Sequence, residues 1–420
     1  MRVVLVLSLL STGSVLAISP GFPYGSSKVR GVSLGGWLVL EPWITPSIFD
    51  STGNPAIVDE WTFGQLQSRP VATAALTKHW DTFITESDFA AIKAAGLNHV
   101  RVPIGYWAFE LEVGPGEPYI SGQLPYLNKA ITWATNNGLK LIIDLHGAPG
   151  SQNGYDNSGH RMPYPTWHTN VTNVQRTSTV LKKIVAMVKD NAANVPAIQA
   201  LNEPAGYFGP DVLAVTKKYW EDSFSNVRYP YGSARKSDTV LVIGDAFQPL
   251  SYWNGVLTNP SYEGVAIETH IYTLFSVPEV RMSEQEHINT VCGKGSSLAS
   301  VDRWTIVGEW SPAMTDCAKY LNGRGIGSRY DGSYEGTSAT RVGSCAGWSG
   351  SASTFSASYK TSLRKFWEAQ VSSYEKAEGW IQWTWKTEAG VAEEWSYKSG
   401  LANGWIPSDP TNLIYPNICR

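Results

Sequence analysis

Eight short, nearly continuous apolar runs recur along the chain: Val29–Leu38, His99–Trp107, Lys140–His146, Ala197–Asn202, Val240–Asp245, Val265–Tyr272, Thr305–Trp310 and Gly379–Lys386. Strands with one solvated face alternate apolar and polar residues. Strands of a parallel sheet, covered on both faces, read instead as unbroken β-branched runs like these. Helical patterns lie between several of them. Thr85-Glu86-Ser87-Asp88 has the form of a capping box, followed by Phe89 and Ile92 and a stop at Gly96. Leu181, Ile184, Val185 and Val188 keep the i, i+3, i+4, i+7 spacing of an amphipathic helix. Strands interleaved with helices in this way predict an α/β fold, a single (β/α)8 TIM barrel with long loops over its C-terminal face. A doubly wound sheet would place a Gly-rich turn after its first strand. Here Gly31-Val32-Ser33-Leu34-Gly35-Gly36 falls inside the first run. The Gly/Ser-rich stretch 323–358 is still followed by the eighth run, so it reads as an excursion over the barrel and not as a linker.

Hydrophobic residues make up 43% of the 420, which is ample for a large core and excludes intrinsic disorder. The net charge is −3 with no basic block, which excludes a protein built to neutralise nucleic-acid phosphates. The unusual feature is aromatic: 18 Trp, 20 Tyr and 12 Phe. Indole is bulky and its N–H needs a partner when buried. Many of these rings are therefore expected at a surface or cleft, where the apolar C–H faces of sugars are one suitable partner.

Residues 1–17 read as a cleaved secretory signal, with Arg2, a short apolar run and Ser14-Val15-Leu16-Ala17 as the cleavage region. Residues 18–420 then form the one catalytic domain, and no later segment is long and apolar enough to span a membrane. Cys292, Cys317, Cys345 and Cys419 are an even set without CxxC spacing, which suits two disulfides in an oxidising compartment and not a zinc ribbon. Asn170-Val171-Thr172 is a glycosylation sequon. The expectation is a secreted monomer, extracellular or in a cell wall.

In such a barrel, polar residues at the C-terminal strand ends form the active site. Those ends supply Glu41, Arg101, His146, Asn202 with Glu203, His270 with Tyr272, Glu309, and Trp383 or Trp385. Glu203 and Glu309 end the fourth and seventh runs and so face each other across the barrel mouth. Two opposed carboxyls are what glycosidic-bond hydrolysis needs: one protonates the leaving oxygen, and the other attacks or activates water.

Asn202-Glu203-Pro204 with Glu309 resembles the large barrel superfamily of retaining glycosidases that includes cellulases. More narrowly, several segments resemble fungal exo-β-1,3-glucanases of glycoside hydrolase family 5. These are Arg30–Val32 to Gly35–Trp37, Leu40–Trp43, Arg101–Trp107, Asp144–Gly154 and Trp383–Glu388. The likeness spans essentially the whole chain after the signal. It implies an exo-acting enzyme that needs no metal or other cofactor and releases glucose from the non-reducing ends of β-1,3-glucan and its oligosaccharides. Glu309 would be the nucleophile, held ionised by donors such as Arg101 and Tyr272. Glu203 would be the acid/base, its pKa raised by the anionic nucleophile. Asn202 would bond the 2-hydroxyl, and His146 and His270 would position hydroxyls or the carboxylates. Glu41, Asp156 and Asn157 would bind the terminal glucose, Trp383 would stack beneath it, and Tyr155 with Phe275 would gate the outgoing sugar. Four cysteines allow three pairings. The expected ones are Cys292–Cys419, tying the tail to the loop after strand six, and Cys317–Cys345, stapling the excursion. The resemblance supports the first more than the second.

Three other readings compete. A metal-dependent hydrolase would show a His-x-His pair on one strand, and Asp144-Leu145-His146 and His270-Ile271-Tyr272 supply none. A catalytically silent glucan-binding wall protein would keep the aromatic cleft and lose a carboxylate. An endo-β-1,4-glucanase or mannanase on the same scaffold differs in having a groove open at both ends.

Overall fold

A computed structural model of the chain describes residues 18–233, 235–335 and 340–420. The expected signal segment, 1–17, lies outside them. Eight parallel strands close into a barrel in sequence order. They are β1 Val29–Ser33, β2 His99–Gly105, β3 Lys140–Gly147, β4 Ala197–Gln199, β5 Val240–Gly244, β6 Val265–His270, β7 Trp304–Glu309 and β8 Gly379–Gln382. Closure is made by β8 against β1, with Val29 opposite Gly379 and Val32 opposite Gln382. The expected TIM barrel is present. The apolar runs overshoot the strands at their C-terminal ends: β1 stops at Ser33, β4 at Gln199 and β8 at Gln382. The residues beyond are buried beneath the loops, so apolar character continues where pairing does not.

Strand parity sorts the interior. On one face of the strands Val29, Ile142, Ala197, Val240, Val242, Ala266, Ile306 and Ile381 form a compact cluster inside the barrel, closed from below by Phe22 and Tyr24. On the other face Val32, Val100, Val102, Leu141, Ile143, Ile198, Leu241, Ile243 and Ile267 join the outer core with the helices. Side chains two residues apart share a face. Ile142–Asp144–His146 and Ala266–Glu268–His270 therefore run up the interior from apolar floor to polar mouth, with Arg101 and Gln199 on the same side as His99 and Ala197.

The longer helices are α1 Arg69–Thr82, α2 Glu86–Ala94, α3 Leu124–Asn136, α4 Val171–Val188, α5 Pro210–Arg228, α6 Glu284–Ala299 and α7 Ala357–Tyr374. The capping box forms as read, Thr85 and Asp88 bonding reciprocally at the start of α2, and Leu181, Ile184, Val185 and Val188 are all buried along α4. Asn170 caps α4, accepting from Thr172 N–H at 2.9 Å, and is exposed. Both expected disulfides are present, Cys292–Cys419 and Cys317–Cys345. Cys292 lies within α6 and not in a loop, because the capping box of Ser283 and Glu286 starts that helix at Glu284, before the cysteine is reached.

The expectation for the aromatic residues needs correction. Eleven of the largest fully buried side chains are tryptophans, Trp37, Trp107 and Trp167 among them. Large indoles fill the wide space between strands and helices and the floor of the loops, and many find a buried acceptor, as Trp107 does on Glu60 at 2.7 Å. The exposed rings are tyrosines and phenylalanines.

Candidate active site

Glu309 reaches the barrel mouth through a shift of register at the top of β7, where His270 pairs with Glu309 after Thr269 has paired with Val307. Gly308, skipped by that shift, is required: a Cβ there would stand 2.2 Å from Oε2 of Glu268. Glu203 follows β4 with φ 47°, a left-handed backbone that a glutamate rarely adopts. These two local distortions bring a carboxylate oxygen of each residue, and a ring nitrogen of His270, within 4.8 Å of one another.

Arg101 lies fully buried beneath the pair. Its Nη1 donates to Oε1 of Glu309 at 2.8 Å, Nε to Gln199 and Nη2 to Oδ1 of Asn202, each also at 2.8 Å. Asp144 stands 3.1 Å from Nη2 and holds Nδ1 of His146 at 2.6 Å. Tyr272 donates its hydroxyl to the other oxygen of Glu309 at 3.0 Å. On the opposite carboxylate, Nδ1 of His270 meets Oε1 of Glu203 at 2.7 Å, and Asn157 donates to Oε2 at 3.3 Å. Arg101 thus sits mid-strand behind the carboxylates, with its fork already satisfied. Its contacts are with Glu309, the partner that the resemblance implied for it, and with Asn202, and it does not line the cavity where a substrate would lie.

Electrostatics reverse one expectation. Burial pushes Glu203 upward, but the His270 hydrogen bond and charge outweigh it, and the carboxyl falls below its ordinary value. For Glu309 burial wins over His270 and Arg101, and the negative Glu203 adds to it, so this carboxyl lies above the ordinary range. His270 is desolvated too, yet Glu309, Glu268 and Glu203 around it raise its pKa well above the usual imidazole value. The resemblance had His270 positioning hydroxyls or the carboxylates; its effect on their titration was not part of that expectation. Burial likewise pushes Glu41 far up, with Asp156 and Glu309 adding to it, and lifts Asp156 to about 7.

Above the pair opens a cavity of about 410 Å³ lined by Glu41, Trp43, Tyr155, Asp156, Asn157, Glu203, His270, Tyr272, Phe275, Glu309, Trp383 and Trp395, among others. Every predicted residue except Arg101, His146 and Asn202 is on that wall, and those three are buried directly behind it. Trp383 and not Trp385 is the site ring. Trp383 stacks on His146 at 5.5 Å, whereas Trp385 points away and donates to Asp88 at 2.9 Å. Tyr155 and Phe275 stand exposed at the rim. Oε1 of Glu41, Oδ2 of Asp156, Nε2 of His146 and Nδ2 of Asn202 are buried with no protein partner. Such groups are costly unless something polar meets them.

Sequence reading missed Glu268 and Gln199, which support His270 and Arg101 from below; their period-2 relation to His270 and to Ala197 was the available signal. It also missed Trp43, Trp395, Asn322 and Arg329 on the cavity wall. The last two come from the 323–358 excursion and its approach, and no local pattern marks them. Glu203, His270 and Glu309 form a cluster of metal-ligand type. Arg101 already pairs with Glu309 at 2.8 Å, and the carboxylates around His270 favour its protonated form, so an added cation would compete with positive charge at the same oxygens.

A family model described as cellulase (glycosyl hydrolase family 5) matches residues 59–320. The probable glucan 1,3-β-glucosidase A of Aspergillus niger is 46% identical over 407 residues, 96% of this chain and 92% of the relative. The glucan 1,3-β-glucosidase of Blumeria graminis is 44% identical, covering 95% and 91%. Among solved structures, rutinosidase from Aspergillus niger superposes with a TM-score of 0.69 at 19% identity, over 90% of this chain and 98% of that one. That likeness speaks for the fold alone.

Proposed function

The chain belongs to glycosyl hydrolase family 5, and we propose that it is a glucan 1,3-β-glucosidase that removes glucose from the non-reducing ends of β-1,3-glucan with retention of configuration. The observation that carries the reading is the approach of the Glu203 and Glu309 oxygens to within 4.8 Å. Retaining enzymes hold their carboxyl groups about 5–5.5 Å apart, and inverting ones leave room for a water. Glu309, fixed by Arg101 and Tyr272, attacks the anomeric carbon as the bond to the leaving oxygen breaks. Glu203 delivers a proton to that oxygen. In the second half, water adds to the anomeric carbon, gives its proton to Glu203 and displaces Glu309. Nδ1 of His270, 2.7 Å from Oε1 of Glu203, stands within reach to share the proton that Glu203 gives in the first half.

Exo action is supported by the cavity wall. Glu41, Trp43 and Asp156 line it, and Asn322 and Arg329 are brought to it by the excursion and its approach. Unpartnered Oε1 of Glu41 and Oδ2 of Asp156 would bond the terminal glucose, Nδ2 of Asn202 its 2-hydroxyl, and Trp383 would lie beneath its ring. A chain continuing past that glucose would clash and leave those groups unpaired. The two disulfides suit the secreted, extracellular or wall-bound setting that the first 17 residues suggest, and no described helix is long and apolar enough to cross a membrane.

A time course on laminari-oligosaccharides, followed by anomeric NMR, tests the reading. Glucose is expected first at every length above two, appearing as the β-anomer. Early laminaribiose and laminaritriose would overturn the exo pocket, and initial α-glucose would overturn retention.

A further inference from the structure

Every exposed aromatic ring among the described residues stands on the loops that follow β3, β4, β5 and β6, one sector of the barrel mouth. Four of them are contiguous. Phe247 meets Tyr207 at a centroid distance of 5.3 Å, Tyr207 meets Phe208 at 4.9 Å, and Phe208 meets Tyr164 at 5.9 Å. The strip begins at the catalytic cavity, since Phe247 and Tyr155 both line it and the Tyr155 hydroxyl lies 2.6 Å from that of Tyr207. It ends in the open, with Tyr164 69% exposed.

The strip is built at a cost. Ala246 and Phe247 have φ 51° and 59°, a left-handed pair without glycine that strains the backbone while presenting a phenylalanine to solvent. The carboxylate of Asp245 stabilises this turn by accepting from Phe247 N–H at 2.8 Å. The turn carrying Tyr207 and Phe208 packs against it only because residue 206 is glycine: a Cβ there would stand 2.5 Å from the Ala246 carbonyl oxygen. Contiguous exposed apolar surface of this kind marks a binding site more often than chance.

We propose that Tyr207, Phe208 and Tyr164 continue the catalytic cleft as a docking strip for the β-1,3-glucan chain beyond the bond being cut. The proposal rests on the substrate reading above. A sugar polymer fits because ring faces pack against its apolar C–H faces while tyrosine hydroxyls remain at the rim for its hydroxyls. Continuity with the cavity says which part of the polymer: the portion beyond the bond being cut.

The test compares the wild-type chain with a Phe208→Ala, Tyr164→Ala variant on laminaribiose and on laminarin, two substrates that differ in reach. Both replaced rings are exposed, so thermal unfolding should be shared with the wild type. The ratio of kcat/KM on laminarin to kcat/KM on laminaribiose is expected to fall about tenfold, through KM. An unchanged ratio overturns the strip while leaving the glucosidase reading intact. A wild type inert on both substrates removes that reading and the strip with it. An unchanged ratio accompanied by loss of self-association in sedimentation would assign the rings to a second copy of the chain instead.

Discussion

Nδ1 of His270 lies 2.7 Å from Oε1 of Glu203 while its Nε2 lies 3.2 Å from Oε1 of Glu268. One ring is thus held between a carboxylate of the reaction and a carboxylate of the barrel interior. The proton needed by the leaving oxygen belongs to the His270–Glu203 pair as a unit, and the alkaline limb of activity reports that pair. Three surrounding carboxylates raise His270 well above its ordinary value.

Replacing His270 with Asn removes the higher-titrating member. Glu203 then holds its own proton in a buried site beside anionic Glu309. The alkaline limb of kcat/KM should move to lower pH, toward the carboxyl range, while the fold persists. A pH–rate profile from pH 3 to 9 measures the shift, and an unmoved limb would separate His270 from the proton.

Glu309→Gln should lower kcat on the order of 10⁴-fold on every substrate, since it deletes the attacking oxygen's charge without changing shape. Glu203→Gln should cost about 10²–10⁴-fold on laminaribiose and far less on an aryl glucoside whose leaving group needs little protonation. Steady-state kinetics on the two substrate classes distinguish them, and equal losses from both variants would reverse or merge the roles.

Asp88 is buried and faces Lys386 at 2.8 Å, Lys398 at 3.1 Å and the Trp385 N–H at 2.9 Å. Burial pushes its carboxyl up, the two lysines and the indole pull it down, and the net value lies below the ordinary one. A depressed carboxyl stabilises the fold fully above its unfolded value and loses that contribution as pH falls through the lower, folded one. Asp88→Asn should therefore destabilise by about 3 kcal/mol at pH 6. The gap in melting temperature between wild type and variant should close as pH drops below about 4. A gap that persists at pH 2 would show that packing and not charge carries the effect.

Cys317 and Cys345 are 28 residues apart and close the loop that brings Asn322 and Arg329 to the cavity. A Cys317→Ser, Cys345→Ser variant frees that wall. KM for laminaribiose should rise about fivefold as the wall loses its preorganisation. Cleavage of Cys292–Cys419, which spans 127 residues, should instead lower global stability, by up to about 5 kcal/mol, with KM little changed. Kinetics and denaturant titration of the two double variants give the comparison, and an interchange of the two effects would refute it.

The barrel itself was legible in the chain. A strand covered on both faces must be apolar on both, and eight such runs with helices between them leave few folds open. Glu203 and Glu309 were legible for the same reason, because strand ends are where a barrel displays polar groups. Tertiary structure alone decided the rest. Arg101 reads as a strand-end residue, yet parity turns it inward, where Gln199 and Asn202 from the β4 segment and Glu309 from β7 converge on it. Trp383 and Trp385 share a short motif, but only one faces the cavity, since the chain leaves β8 at Gln382 and turns between them. The charge state of Glu203 depends on His270, which is 67 residues away, and the exposed strip joins rings from three separate loops. Local sequence sets periodicity and burial, which are properties of single segments. A pKa, a satisfied fork or a shared surface is set by distances between segments, and those exist only once the barrel has closed.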